Sequence, residues 1–247
     1  MERARLDGAF GNGMLHVEGI NTFYGRSHVL RGVSLTVGEG ECVALLGRNG
    51  AGKTTTLKTI AGVLTPREGR VRFLGADITG MPPHEIVKRG IVWIPEERRI
   101  FPNLTVHENL KLGRLLVDGG RQMDAYLDRV FSLFPRLRER LQNKGRQLSG
   151  GEQQMLTIAR GLGPQPKLLL IDEPTEGLMP AMVAAIAETV QRIQGEGVAI
   201  ILVEQNTRIA LGSSRRTYLI EKGAIRHEAP SAELAADHQT RLRYLGV

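Results

Sequence analysis

The chain has 247 residues, of which 41% are hydrophobic, so it is long enough for one large α/β domain with a sizeable core. A formal net charge of +7 fits nucleic acid, an anionic membrane surface or polyphosphate as a partner. The positive charge is scattered, and an aromatic content of 4% argues against a base-stacking platform for single-stranded nucleic acid. The single cysteine, Cys42, excludes an intrachain disulfide and lies in an apolar run, where a small buried side chain is expected.

The first residues carry no pattern of a signal peptide. Residues 1–13 are polar and contain glycine, and we expect them to form a flexible tail before a single domain at residues 14–247. No apolar run approaches the length of a bilayer span. We therefore expect a cytoplasmic protein that reaches the membrane only through a partner chain.

The first half of the domain alternates β-type and helical patterns. Residues 15–37 contain short β-type runs separated by glycines, which predicts antiparallel strands. Residues 41–46 form a continuous apolar run, as expected for a parallel strand covered on both faces. We then expect a helix that Pro66 ends, a strand, a short helix and another strand, at residues 53–64, 71–74, 82–89 and 91–94.

Beyond Pro95 the pattern becomes helical. A capping box from Thr105 to Glu108 opens one helix, and residues 125–137 place apolar side chains at helical spacing. These features predict a helical insertion at about residues 98–147. We expect two more buried strands, a hairpin that turns at Lys222-Gly223 and a closing helix, at residues 168–171, 198–203, 216–227 and 231–245.

A glycine-rich loop with the pattern G-x-x-x-x-G-K-[ST] lies between a predicted strand and a predicted helix. Its glycines allow backbone N–H groups to surround phosphate oxygens at the positive end of the helix. Lys53 would reach the β- and γ-phosphates of a nucleotide, and Thr54 would offer its hydroxyl to Mg²⁺. The expected nucleotide-binding residues are Gly47, Arg48, Asn49, Gly50, Ala51, Gly52, Lys53, Thr54 and Thr55.

Two carboxylates end the apolar strand at residues 168–171. Ligands bind at the carboxyl ends of the strands in open α/β sheets. Asp172 is therefore a candidate ligand of Mg²⁺, and Glu173 is a candidate acceptor for a proton from an attacking water.

A second glycine-rich turn lies at residues 148–152, which read Leu-Ser-Gly-Gly-Glu. Alone, the spacing of Ser149 and Glu152 indicates a capping box that starts a helix. Beside the phosphate-binding loop it also suggests a second anion site, because the open N–H groups of a helix N-terminus attract phosphate and Gly150 and Gly151 allow close approach.

The order of these three motifs resembles the ATP-binding cassette (ABC) family, from about Leu15 to the C-terminus. The resemblance implies an α/β P-loop NTPase with a RecA-like parallel-sheet core, an N-terminal antiparallel β subdomain and an inserted α-helical subdomain. It also implies that two cassettes pack head to tail, so that the residues Ser149, Gly150, Gly151 and Glu152 of one contact the ATP of the other.

Four further positions can be compared with the family pattern one at a time, and three of them depart from it. Tyr24 resembles the aromatic residue that stacks on adenine. Glu96 stands where the family usually has a glutamine near Mg²⁺ and the γ-phosphate, Gln205 stands where it usually has a switch histidine, and Met179 stands where aspartate is common. Gln205 can bond to a phosphate but cannot carry the charge of an imidazolium.

Four segments of the chain are similar to segments of the ATPase subunit of branched-chain amino acid importers. They are the segments around Glu96, Glu173 and Gln205 and the terminal Tyr-Leu-Gly. This resemblance implies permease subunits and, indirectly, a solute-binding protein as partners, with no nucleic acid. Importers of urea or short amides share these features. A soluble ABC ATPase acting on DNA or the ribosome, and a non-catalytic ATP-binding adaptor, are the other hypotheses.

Overall fold

The computed structural model describes residues 13–118 and 122–246, and it contains two β-sheets and a set of helices. The strands are β1 (Gly13–Tyr24), β2 (Ser27–Gly38), β3 (Cys42–Leu46), β4 (Glu68–Phe73), β5 (Ala76–Asp77), β6 (Ile91–Ile94), β7 (Leu168–Asp172), β8 (Ala199–Val203), β9 (Arg216–Glu221) and β10 (Ala224–Pro230). The helices are α1 (Lys53–Ile60), α2 (Pro83–Arg89), α3 (Val106–Asp118), α4 (Met123–Leu133), α5 (Pro135–Glu139), α6 (Gly150–Leu162), α7 (Pro180–Gly195), α8 (Thr207–Ser213), α9 (Ser231–Ala236) and α10 (His238–Tyr244). Except for Gly13, the predicted tail lies outside the described residues.

The N-terminal sheet is antiparallel, with the strand order β2-β1-β4-β5. Leu15 of β1 lies opposite Val37 on one side and Phe73 on the other. All three side chains are buried in one hydrophobic cluster. The prediction of antiparallel strands at residues 15–37 is confirmed.

The central sheet has the order β10-β9-β3-β8-β7-β6, and its pairings from β9 to β6 are parallel. Every residue of β3, β7 and β8 is buried, which explains their uninterrupted apolar sequences. The parallel arrangement places the carboxyl ends of β3, β6, β7 and β8 at one edge of the sheet. Together with the helices between β6 and β7, this sheet confirms the predicted α/β fold class.

Two predicted helices are interrupted in the structure. The helix expected at residues 125–137 is divided into α4 and α5 because Phe134 takes an extended φ of −133° before Pro135, whose ring disfavours a helical residue in front of it. The closing helix is divided at Asp237, whose side chain accepts a hydrogen bond from the backbone N–H of Thr240 and so starts α10.

The helices α7 and α8 were not predicted from the sequence. Helix α7 begins with Pro180 and buries Ile186, Val190 and Ile193 on one face. Helix α8 begins after Asn206, whose side chain accepts a hydrogen bond from the backbone N–H of Ile209. No helix of the described part of the chain is long and apolar enough to cross a membrane.

Candidate functional site

A cleft of about 340 Å³ opens at the edge where the parallel strands end. The loops after β3, β6, β7 and β8 all contribute to it, because the parallel sheet brings their ends together. Its lining residues are Val29, Asn49, Gly50, Gly52, Lys53, Thr54, Thr55, Glu96, Glu173 and Gln205.

The glycine-rich loop depends on glycine for two separate reasons. Gly50 and Gly52 have φ values of 75° and 112°, in the left-handed region that other residues avoid. At Gly47 an added Cβ would lie 2.3 Å from the backbone oxygen of Ile220, so β9 leaves no room for a side chain. The backbone N–H of Gly223, in the β9–β10 turn, donates to the backbone oxygen of Ala51 at 2.9 Å. The loop is thus held in place by contacts with β9 and the β9–β10 turn.

Gly47, Arg48 and Ala51 of the loop are not among the residues that line the cleft. Arg48 and Ala51 line recesses beside the C-terminal residues Tyr244 and Leu245. The cleft is lined by Asn49, Gly50 and Gly52 of the loop and by the first three residues of α1.

Lys53 extends across the cleft and is only 4% exposed. Its Nζ donates to the backbone oxygen of Gly47 at 2.9 Å and forms an ion pair with Oε1 of Glu173 at 3.3 Å. Two buried charges of opposite sign are thereby matched. An anion that enters the cleft would compete with Glu173 for this ammonium group.

Asp172 is 1% exposed at the end of β7. The hydroxyl of Thr54 donates to its Oδ1 at 3.2 Å, whereas its buried Oδ2 has no hydrogen-bond partner. Burial, assisted by the nearby charges of Glu173 and Glu96, raises the pKa of Asp172 to about 6. A buried carboxylate oxygen without a hydrogen-bond partner, next to a hydroxyl, could coordinate a hard cation.

Glu173 has the unusual backbone φ of 45°. Its N–H donates to the backbone oxygen of Val203 at 2.9 Å, which ties the residue to the end of β8. The side-chain amide of Gln205 donates to its Oε2. A sparsely populated conformation that several contacts hold in place is typical of functional residues.

Glu96 follows β6 and is an exposed residue that lines the same cleft. Partial burial, followed by the charges of Glu173, Glu97 and Glu176, raises the pKa of Glu96. The carboxylates of Glu96 and Glu173 line the cleft, and Asp172 is bonded to the cleft residue Thr54. An added cation would relieve the repulsion among these charges.

The turn at residues 148–152 is separate from this cleft and contributes none of its lining residues. Ser149 caps α6: its hydroxyl accepts from the N–H of Glu152 at 3.3 Å, and the Glu152 carboxylate accepts from the N–H of Ser149 at 2.8 Å. Burial opposes ionisation of Glu152, yet hydrogen bonds from Ser149 and Arg140 lower its pKa. Gly150 and Gly151 have close neighbours, because an added Cβ would lie 2.8 Å from Nη1 of Arg98 and 2.4 Å from Cε of Met182.

Sequence reasoning placed Tyr24 at the nucleotide and overlooked two other residues. Tyr24 is 46% exposed at the end of β1 and is not among the cleft-lining residues, whereas Val29 is. Glu204 is buried beside Gln205 and accepts hydrogen bonds from Thr175. A charged residue directly after an all-buried strand is the sequence signal that could have indicated Glu204.

Comparison with known proteins identifies the class to which this fold and cleft belong. The sequence profile of the ABC transporter family matches residues 30–176. The chain therefore belongs to the ABC transporter family, as predicted, and is a nucleotide-binding ATPase cassette of that family.

Individual relatives match almost the whole chain. It is 42% identical to the high-affinity branched-chain amino acid transport ATP-binding protein BraG of Pseudomonas aeruginosa, over 94% of this chain and 100% of BraG. It is 34% identical to the lipopolysaccharide export system ATP-binding protein LptB of Haemophilus influenzae, over 94% of this chain and 97% of LptB. Relatives of this similarity include an exporter subunit, so likeness alone does not identify the solute.

Solved structures of ABC cassettes have the same fold. The ADP conformation of MJ1267, an ATP-binding cassette of an ABC transporter, superposes with a TM-score of 0.80 at 27% identity and covers 95% of this chain and 99% of its own. The dimeric structure of MJ0796, a bacterial ABC transporter cassette, superposes with a TM-score of 0.78 at 25% identity and covers 88% of this chain and 99% of its own. ABC cassettes therefore form dimers.

Proposed function

We propose that this chain is the ATP-hydrolysing subunit of an importer for branched-chain amino acids and that the cleft is its ATP site. The observation that carries the proposal is the convergence of Lys53, Thr54, Glu173 and Gln205, from three separate loops, on one cleft at the strand ends, with Asp172 bonded to Thr54. A lysine, a hydroxyl and several carboxylates at a glycine-rich loop are the groups that nucleotide hydrolysis requires.

The phosphates would bind where Lys53 now meets Glu173. The N–H groups at the start of α1 and the ammonium group of Lys53 would surround the β- and γ-phosphates. Thr55 and Asn49 also line the cleft. Tyr24, at the exposed end of β1, would stack on the adenine from outside the cleft.

The residues present fit Mg²⁺. Among the described residues, no cluster of three His, Cys, Asp or Glu side chains is arranged to hold a metal by itself. Thr54, Asp172 and Glu96 would therefore hold the ion together with phosphate oxygens and water, the coordination that Mg²⁺ usually takes. When bound, the ion would neutralise charge that develops on the transferred phosphate.

Hydrolysis would proceed by attack of water on the γ-phosphorus, with cleavage of its bond to the bridging oxygen of ADP. When phosphate attracts Lys53, the Oε1 atom of Glu173 becomes free to accept the proton of that water. Gln205 would keep the Glu173 carboxylate oriented toward the water through its amide. Phosphate would thus change the partners of Lys53 and activate Glu173.

A second cassette would complete the site. No residue of the turn at 148–152 lines the chain's own cleft. The open N–H groups at the start of α6 and the Ser149 hydroxyl would form an anion site for ATP that another cassette holds. The dimeric structure of MJ0796 supports the pairing of two cassettes. Whether the partner is identical or related, ATP would close the pair and hydrolysis would reopen it.

Permease subunits would attach through the helices between β6 and β7, on the cytoplasmic side of the membrane. An apolar groove of about 510 Å³ lies between β6, α3 and α6, and Phe101 and Leu115 in its wall are 47% and 41% exposed. Exposed apolar side chains around a groove indicate a protein contact. Similarity to BraG supports branched-chain amino acids as the solutes, delivered to the permease by a solute-binding protein.

Substitution of Glu173 by Gln tests the catalytic assignment. The amide preserves the size of the side chain but cannot accept the proton of water, so ATP turnover should fall by at least about a hundredfold while ATP binding persists. Phosphate release and binding of a fluorescent ATP analogue measure the two effects, with Glu176→Gln as the exposed control. Turnover equal to that of the wild type in Glu173→Gln would contradict the assignment.

Uptake by the assembled transporter tests the solute. Cells that produce the chain with its permease and solute-binding protein should accumulate radiolabelled leucine, and Glu173→Gln should abolish this uptake. Excess isoleucine or valine should compete, whereas urea and acetamide should not. Competition by urea or acetamide without competition by isoleucine would contradict the proposed solute and leave the ATPase assignment intact.

A further inference from the structure

Glu204 is a buried carboxylate that the proposed chemistry does not use. It follows β8 directly, precedes Gln205 in the chain and is only 2% exposed. Its Oε1 accepts two hydrogen bonds from Thr175, one from the backbone N–H at 3.1 Å and one from the hydroxyl at 2.7 Å. Its Oε2 accepts from the backbone N–H of Asn206 at 3.4 Å.

These bonds connect the two loops that carry the central hydrogen bond of the cleft. Thr175 lies two residues after Glu173 and is 7% exposed, while Glu204 lies one residue before Gln205. The side-chain amide of Gln205 donates a hydrogen bond to the carboxylate of Glu173. The loop after β7 and the loop after β8 are therefore joined twice, once by Gln205 and once by Glu204.

Burial of the Glu204 carboxylate costs free energy, which indicates that its hydrogen bonds to Thr175 have a specific role. Burial raises the pKa of Glu204, and the hydrogen bonds from Thr175 and Asn206 only partly oppose this effect. A neutral or apolar residue would avoid the desolvation of a charge. In return, a charged acceptor forms stronger and more directional hydrogen bonds, which fix the two loops relative to each other.

We infer that Glu204 and Thr175 are positioning residues for ATP hydrolysis, which hold the loops after β7 and β8 so that Gln205 can orient Glu173. The inference rests on the proposed function, because it assumes that Glu173 accepts the proton of water. Neither residue lines the cleft, so their loss should affect the hydrolytic step more than the binding of ATP.

The test uses paired variants of the full chain. Thr175→Val removes the hydroxyl at constant shape, whereas Thr175→Ser retains it. Glu204→Leu removes both acceptor oxygens, whereas the carbonyl of Glu204→Gln can still accept from Thr175. The kcat and KM for ATP are measured together with the fraction of protein that binds a fluorescent ATP analogue.

We expect kcat to fall about tenfold in Thr175→Val and in Glu204→Leu, as for loss of a hydrogen bond to a charged group, with KM nearly unchanged. Thr175→Ser and Glu204→Gln should stay within about threefold of the wild type. The combined Thr175→Val, Glu204→Leu variant should be no slower than the slower single variant, because the two residues act through one contact.

Three results would overturn the inference. The first is a wild-type kcat in Thr175→Val, and the second is a kcat in Thr175→Ser as low as that in Thr175→Val. The third is a loss of kcat that is fully explained by a smaller fraction of protein that binds nucleotide. Glu173→Gln separates this inference from the function it rests on. Normal turnover in Glu173→Gln refutes the proposed function, whereas an inactive Glu173→Gln beside a fully active Thr175→Val refutes the positioning role alone.

Discussion

Buried charges define the cleft at the scale of single residues. Lys53 and Glu173 neutralise each other, while Asp172 keeps one carboxylate oxygen without a partner. A protein that places such groups together loses stability, and a bound ligand can recover it. The pH dependence of the free energy of unfolding should therefore reveal the charge on Asp172.

Without nucleotide and metal ion, the pKa of Asp172 is raised from 3.8 to about 6. The folded state then binds a proton more tightly than the unfolded state between about pH 4 and pH 6. The contribution of this group to stability is complete below about pH 4 and is lost as pH rises through 6. Asp172→Asn does not titrate, so at pH 7.5 its free energy of unfolding should exceed that of the wild type by roughly 3 kcal/mol, with little difference at pH 4.

Urea unfolding in the presence of EDTA measures this difference. Asp77→Asn is the control, because its hydrogen bonds from Thr79 lower the pKa of Asp77 and its replacement should not stabilise the protein at pH 7.5. Equal stability of Asp172→Asn and the wild type at pH 7.5 would show that the charge on Asp172 does not destabilise the folded state.

Helix α6 shows how one element can have two roles. Ser149 closes a capping box with Glu152, which stabilises the helix start. The same turn presents N–H groups that the proposed function assigns to the ATP of a second cassette. The two roles make different demands on the side chain at position 149, because a cap needs an acceptor and a phosphate site must not be negative.

Ser149→Asp separates the cap from the phosphate site. Aspartate is as good a cap as serine and favours the helix N-terminus, so stability should change little, but its charge should repel phosphate and reduce ATP hydrolysis at least about tenfold. Ser149→Ala should lose about 1 kcal/mol of stability. Thermal unfolding and phosphate release measure both effects, and ATP binding to the isolated chain should persist in each variant. Reduced binding by the isolated chain would place Ser149 in the chain's own ATP site.

The separation of α6 from the cleft has a consequence at the scale of the whole molecule. The glycine-rich loop and the turn at residues 148–152 lie at different places on the chain, so one copy presents half of each proposed ATP site. ATP should then act as the contact between two cassettes, and its hydrolysis should end that contact.

The Glu173→Gln variant should trap the dimer. Because it binds ATP without cleaving it, we expect analytical ultracentrifugation to show a dimer with Mg²⁺ and ATP and a monomer with ADP. Adding Ser149→Asp to the same chain should abolish the dimer, since the phosphate contact is lost. A monomer under every condition would mean that this chain requires a different cassette as its partner, and a dimer without ATP would contradict the proposed role of the phosphate.

The sequence by itself determined the features that depend on neighbouring residues. The glycine-rich loop, the capping box of α6 and the apolar strands β3, β7 and β8 are visible because backbone geometry and burial require particular residues at short, regular spacing. From them follow the α/β fold, the edge of the sheet that binds ligands and most of the residues that line the cleft.

Only the tertiary structure decided which distant groups meet. Thr54 and Asp172 are 118 residues apart in the chain, yet they are hydrogen-bonded. The pairing of Lys53 with Glu173, the contact of Glu204 with Thr175 and the entry of Val29 into the cleft arise in the same way. No local spacing encodes such contacts, because they depend on the order in which the strands assemble and on the free energy of burying their charges together.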